Sequence, residues 1–135
     1  MALSDAVRDF LEDPKRFAVL ATVNPNGLPQ QTVMWYALLD DNTIVMNTKR
    51  GRQKDRNLLR EPRASLCIED GLHFVTLTGT IAMIDDCARA QADIRALAVK
   101  YDGEESAERQ VAKQFSKEER VTLLFSIEKV YTHGL

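Results

Sequence analysis

A chain of 135 residues with 44% hydrophobic side chains carries enough apolar surface for one ordinary core, so a single domain over residues 1–135 is expected. Its 18 basic and 20 acidic residues leave a formal charge of -2, which gives the molecule as a whole no electrostatic pull toward nucleic acid or anionic lipid, so any anion site must be local. Cys67 and Cys87 lack the close spacing of a metal site or a redox dithiol, Asp5, Arg8 and Asp9 interrupt the first twelve residues where a signal peptide would be apolar, and no later run suits a membrane span, so a cytoplasmic protein with no membrane partner is expected.

In chain order, Ser4 is placed to cap a short lid helix that Val7, Phe10 and Leu11 suggest by their spacing, with Pro14 marking its end. Phe17 to Val23 is a compact, β-branched run, and Asn24-Pro25-Asn26-Gly27 has the chemistry of a tight turn, so a hairpin is expected with a returning strand from Gln30 to Leu39. Asp40-Asp41-Asn42 supplies the next turn and Thr43 to Thr48 the third strand. Arg52 to Arg60 favours a short polar helix that Pro62 stops. Strands four and five, Arg63 to Glu69 and His73 to Asp85, alternate with period two across the Asp70-Gly71 turn, and Gly79 falls where a closing sheet needs a bend or bulge.

From Asp86 to Tyr101 the period changes, with Ile94, Leu97, Ala98 and Tyr101 on one helical face. Asp102 to Glu108 has the polarity of a loop, a second helix is expected over Ser106 to Phe115, and both helices should cover an open side of the sheet. A last strand, Arg120 to Tyr131, alternates again through Val121, Leu123, Phe125 and Ile127. The count is six strands, mostly antiparallel, in a mainly β (α+β) protein, and a small barrel suits such strands because closure removes exposed edges.

The segment Lys49 to Arg63 holds seven basic residues (Lys49, Arg50, Arg52, Lys54, Arg56, Arg60, Arg63) against Asp55 and Glu61. It lies where a strand ends, a glycine turns the backbone and a helix begins, so free N–H groups and basic side chains would face a phosphate together. A solvated basic helix face is the competing reading.

Several stretches together resemble the pyridoxamine 5′-phosphate oxidase-like, FMN-binding split-barrel superfamily: Gln30-Gln31-Thr32-Val33-Met34-Trp35-Tyr36, Met46-Asn47-Thr48, Arg52-Gln53-Lys54 with Asn57-Leu58, and Glu61-Pro62-Arg63-Ala64-Ser65. The similarity runs along nearly the whole chain. The length and the Arg52-x-Lys54-x-Arg56-Asn57-Leu58 pattern are most similar to the deazaflavin branch, which uses coenzyme F420. The resemblance implies a six-stranded antiparallel split β-barrel with short covering helices and a cofactor ring along Gln31, Thr32, Val33 and Met34. It implies a phosphate held by Asn47, Thr48, Arg52, Gln53 and Lys54, with Asn57 adjoining, and a homodimer with cofactor sites at its interface. The expected activity is an F420-dependent oxidoreductase that passes hydride to a small electron-poor acceptor, with FMN as the alternative cofactor. Gln53 stands where FMN oxidases carry a second basic residue, and Val130 to Leu135 lack the Arg-x-His substrate motif of the vitamin B6 oxidases.

Tyr36 is the candidate proton donor, although Trp35 and Tyr36 also suit core packing on a half-buried strand. No catalytic residue is assigned, because the cofactor carries the reaction and few acid–base groups are needed. His73 and His133 are isolated, so no metal site is expected, and no dinucleotide, P-loop or serine-esterase motif is present. The rival classes are a flavin reductase or oxidase of the same fold, a cofactor carrier without turnover, and an oligonucleotide-binding barrel, which the overall negative charge disfavours.

Overall fold

The computed structural model describes residues 2–13 and 16–135, so the expected helix end at Pro14 lies outside the described residues. The element order is α1 (Asp5–Leu11), β1 (Ala18–Val23), β2 (Pro29–Met34), β3 (Ala37–Asp40), β4 (Thr43–Lys49), α2 (Gln53–Arg60), β5 (Arg63–Asp70), β6 (His73–Ile84), α3 (Cys87–Asp102), α4 (Glu104–Lys113) and β7 (Arg120–His133). The strands form one seven-stranded sheet in the order β2-β1-β5-β6-β7-β4-β3, and every neighbouring pair is antiparallel.

The two edge strands of this sheet, β2 and β3, are consecutive in sequence and joined only by Trp35 and Tyr36. Three peptide units reach at most about 11 Å, so the sheet must curl until its edges nearly meet. The edges are not hydrogen-bonded to each other. This is a split barrel, open along the β2/β3 seam.

Seven strands replace the expected six because the run from Gln30 to Leu39 breaks at Trp35-Tyr36. Alternation continues through the break, with Tyr36 turned inward and fully buried, its hydroxyl donating to the Leu11 carbonyl at 2.7 Å. Trp35 turns outward and stacks on Tyr101 of α3, with ring centroids 5.4 Å apart. These two aromatic anchors pull the chain off one ladder and onto another. Period-two patterning cannot register such a break because it preserves the alternation.

Inward residues of β1, β4, β5, β6 and β7 form the main core, among them Leu20, Met46, Leu66, Leu77 and Phe125. Val7 and Leu11 of α1, which Ser4 caps, together with the preceding Leu3, fill one end of this core. Gly79 lies at a register shift between β6 and β7, where a β carbon would come within 1.9 Å of the Ser126 carbonyl oxygen. Only glycine lets the strands approach this closely.

Asp86 caps α3, accepting from the Arg89 N–H at 3.1 Å. The helix lies on the outer faces of β4 and β7, where Thr122 Oγ1 donates to Asp93 at 2.7 Å. The polar stretch expected to be a loop is helical from Glu104 onward, because Gly103, at φ 87°, makes the whole turn between α3 and α4. Glycine alone adopts that conformation without strain, and one such residue reverses the chain. Coverage by α3 and α4 leaves the outer face of β1, β2, β5 and part of β6 open.

Candidate cofactor site

At the end of β4 the chain turns through Gly51, at φ 92°, into α2. The turn is held by a carboxylate inside the basic segment: buried Asp55 accepts from the Gly51 N–H at 2.7 Å and from Arg50 at 3.0 Å. Arg52 sits at the N-cap and provides no side-chain acceptor for the first turn of α2. An uncapped helix start carries partial positive charge and free N–H groups, which is what an anion site needs.

The seven basic side chains of this segment divide by their partners. Arg50 engages Asp55, Asp85 and Glu119, and Arg63 engages Glu61. Arg56 donates to the Gly51 carbonyl, Arg60 to the Val23 carbonyl, and Lys49 lies 3.9 Å from Glu118. Arg52 and Lys54 have no hydrogen-bond or ion-pair partner among the described residues. The local surplus of charge thus reduces to two available cations, both at the start of α2.

Lys54, which a solvated helix face would expose, is only 4% exposed. Burial, and then the charges of Arg52 and Arg120, hold its ammonium below the ordinary lysine range. A buried, unpartnered ammonium among other cations is costly to the free protein. An incoming anion removes that cost.

A cleft of about 210 Å³ brings together Val33 and Met34 of β2, Trp35, Asn47 of β4, Arg52, Ile94 and Leu97 of α3, Gln114, Phe115 and Arg120. Four of the ten residues expected to hold a cofactor, Val33, Met34, Asn47 and Arg52, therefore meet in one place. Gln31 and Thr32 lie just upstream on β2, whose outer edge has no strand partner, so half of its backbone groups are available to a ligand. Val33 is 65% exposed on that edge.

The remaining expectations separate. Asn47 and Thr48 leave opposite faces of β4, so only Asn47 reaches the cleft, while Thr48 is buried on the inner face. Thr48 Oγ1 has no hydrogen-bond partner among the described residues. Gln53 faces a shallow depression with Asn24, Pro25, Asn26 and Gln30, and its amide bonds to Asn57 at 2.8 Å and to Arg56 at 2.6 Å. Asn57 is fully buried: Nδ2 donates to Thr22 Oγ1 and Asn24 Oδ1, both at 3.0 Å, and Oδ1 accepts from Gln53. Its amide clamps α2 to β1 and the following turn, with no polar atom left for a cofactor.

Tyr36 is corrected as a proton donor. Its hydroxyl is sealed in the core against Leu11, and burial pushes its pKa well above the usual tyrosine range. The core-packing alternative holds. Arg120, Gln114 and Phe115 escaped the sequence reading because they belong to the far end of the chain and carry no local motif. Among the described residues no three potential ligands cluster as a metal site, and no helix is long and apolar enough to cross a membrane.

These residues suit a phosphorylated, ring-bearing cofactor on structural grounds: cations without partners among the described residues at an uncapped helix start, and a free strand edge beside apolar side chains. A match to the family described as pyridoxamine 5′-phosphate oxidase spans residues 3–134. A curated pyridoxine/pyridoxamine 5′-phosphate oxidase from Agrobacterium fabrum is 31% identical over 86 residues, covering 62% of this chain and 41% of that protein, so the match spans less than half the relative's length.

Among solved structures, a conserved hypothetical protein from Mycobacterium tuberculosis superposes with a TM-score of 0.80 at 28% identity, covering 98% of this chain and 85% of that one. An F420 reductase gives 0.76 at 23% identity over 96% and 98% of the two chains. A haem storage protein from Vibrio cholerae gives 0.71 at 17% over 100% and 97%. The last two share the fold alone, and the fold by itself does not choose a cofactor. With the split barrel, the cationic α2 start and a family match over almost every residue, the chain belongs to the pyridoxamine 5′-phosphate oxidase family.

Proposed function

We propose that this protein is an F420-dependent oxidoreductase, binding the deazaflavin cofactor at the cleft and reducing a small electron-poor acceptor. The observation that carries the reading is the pair Arg52 and Lys54, two cations without partners among the described residues at the uncapped start of α2. They hold the cofactor's phosphoryl group. The free edge of β2 from Gln31 to Met34 meets the polar rim of the ring with backbone groups, and Val33 and Trp35 give it apolar surface.

The bound cofactor supplies the hydride. The chain's own residues bind, orient and exclude water. With Tyr36 sealed in the core, no side chain of the cleft is assigned as proton donor, and solvent fills that role. The open outer face of β1, β2 and β5 is the surface on which a second copy would complete the site. FMN is the alternative cofactor; Gln53 supports the deazaflavin, since its amide is spent on Asn57 and Arg56 and adds no charge for a second phosphate oxygen.

The test is titration of the purified protein with F420 and, separately, FMN, followed by cofactor fluorescence. Saturable binding of F420 that is tighter than that of FMN supports the proposal, and acceptor reduction by reduced F420 completes it. The reverse preference transfers the protein to the FMN group. Binding of neither refutes the cofactor reading.

A further inference from the structure

Arg120 opens β7, far from the basic segment in sequence, yet it lines the same cleft as Arg52. Its guanidinium is buried and fixed on three sides. Nε donates to Asn47 Oδ1 at 2.9 Å, Nη1 donates to Glu118 Oε1 at 2.9 Å, and the group lies over the Phe115 ring, 5.0 Å from its centroid. Asn47 is fixed in turn, because its Nδ2 donates to the Ala90 carbonyl of α3 at 3.0 Å. Nη2 of Arg120 has no hydrogen-bond partner among the described residues.

We propose that Arg120 is a third anchor for the cofactor's phosphoryl group, reaching it from β7 while Arg52 and Lys54 reach it from α2, and that Asn47 is a positioning residue that aims Arg120 rather than a ligand. This rests on the cofactor reading above and adds a residue to it.

Charge and burial support the assignment. Of Arg52, Lys54 and Arg120, Arg120 alone is bonded to a carboxylate, Glu118, among the described residues. That leaves a surplus of two positive charges, with Lys54 and Arg120 buried and Arg52 exposed, and buried charge of this kind is kept at a cost unless an anion offsets it. Arg52 and Arg120 line the cleft together, and after burial their charges lower the Lys54 pKa. A guanidinium held in plane offers its remaining N–H groups as a fork that matches phosphate oxygens. A purely structural arginine would instead have its N–H groups consumed by the fold.

The experiment compares FMN with riboflavin, which has the same ring and no phosphoryl group, on the wild-type protein, Arg120→Gln and Arg120→Lys. F420 is titrated in parallel. Arg120→Gln should weaken FMN and F420 about 10- to 100-fold, the scale of a lost charge-assisted hydrogen bond, and leave riboflavin unchanged. Arg120→Lys should recover part of the loss. Equal losses for FMN and riboflavin, or no loss, would overturn the proposal.

Should Arg120→Gln fold poorly, Glu118→Gln provides the second reading: freeing the guanidinium from its carboxylate should tighten FMN several-fold relative to riboflavin, and unchanged or weaker FMN binding counts against the role. Inorganic phosphate separates this proposal from the choice of cofactor. If the wild type binds no flavin or deazaflavin yet phosphate raises its melting temperature, and Arg120→Gln abolishes that rise, the cofactor reading fails and the anchor stands. No phosphate-dependent rise in the wild type overturns the anchor as well.

Discussion

Replacing Asn57 with alanine separates a clamp from a ligand. The amide makes three hydrogen bonds, to Thr22, Asn24 and Gln53, between 2.8 and 3.0 Å, and the side chain is fully buried. At about 1 kcal/mol net for each bond, less about 0.5 kcal/mol returned by alanine's higher helix propensity, the loss is about 2.5 kcal/mol. With a urea m-value of about 1.5 kcal/mol/M, the unfolding midpoint should fall by about 1.7 M with the slope unchanged. The assay is urea unfolding followed by circular dichroism, with cofactor titration in native buffer alongside. Affinity should fall less than tenfold, because α2 still presents Arg52 and Lys54. A midpoint shift below about 0.3 M together with a larger loss of affinity would refute the clamp and restore Asn57 to the ligand set.

Lys54→Met should raise the melting temperature of the cofactor-free protein, since it removes a buried ammonium that has no partner, and should weaken F420 and FMN by about 1–3 kcal/mol while sparing riboflavin. A lower melting temperature would show that the lysine stabilises the fold. Gly79→Ala should cost about 3 kcal/mol or more, because the added methyl meets the Ser126 backbone oxygen, which no rotamer change can move; a thermal melt within two or three degrees of wild type, taken as about 1 kcal/mol or less, would show that the strands part easily. Tyr36, whose pKa is raised in the folded state by burial, contributes stability that is complete below the unfolded tyrosine value of about 10 and drains away as pH rises above it. Tyr36→Phe should therefore flatten the alkaline limb of a stability–pH profile, and an unchanged limb would contradict the assignment.

What the sequence determined by itself was local. Ser4 as a cap, the Asn24–Gly27 turn, the period-two strands and the period change at Asp86 depend on neighbours within a few residues, and they stand in the structure close to where the pattern puts them. Gly79 was legible as an irregularity in an otherwise regular strand. The strand end, the glycine turn and the basic helix start at Gly51, Arg52 and Lys54 were legible too, because they lie within four residues of one another.

Only the tertiary structure decided which charges are available. Composition counts seven cations around α2, and folding engages five of them, some with near neighbours such as Asp55, Glu61 and the Gly51 carbonyl and others with partners distant in sequence such as Glu118 and the Val23 carbonyl. It also buries Lys54, turns Asn57 into a clamp, and brings Arg120 from β7 into the cleft. Helical and strand periods report which side of an element a residue occupies, whereas burial and pairing depend on what other elements bring to that side. The split of one expected strand at Trp35-Tyr36 has the same origin: the two residues obey the alternation, and it is their partners, Tyr101 on α3 and Leu11 on α1, that part the ladder and leave the barrel open at the β2/β3 seam.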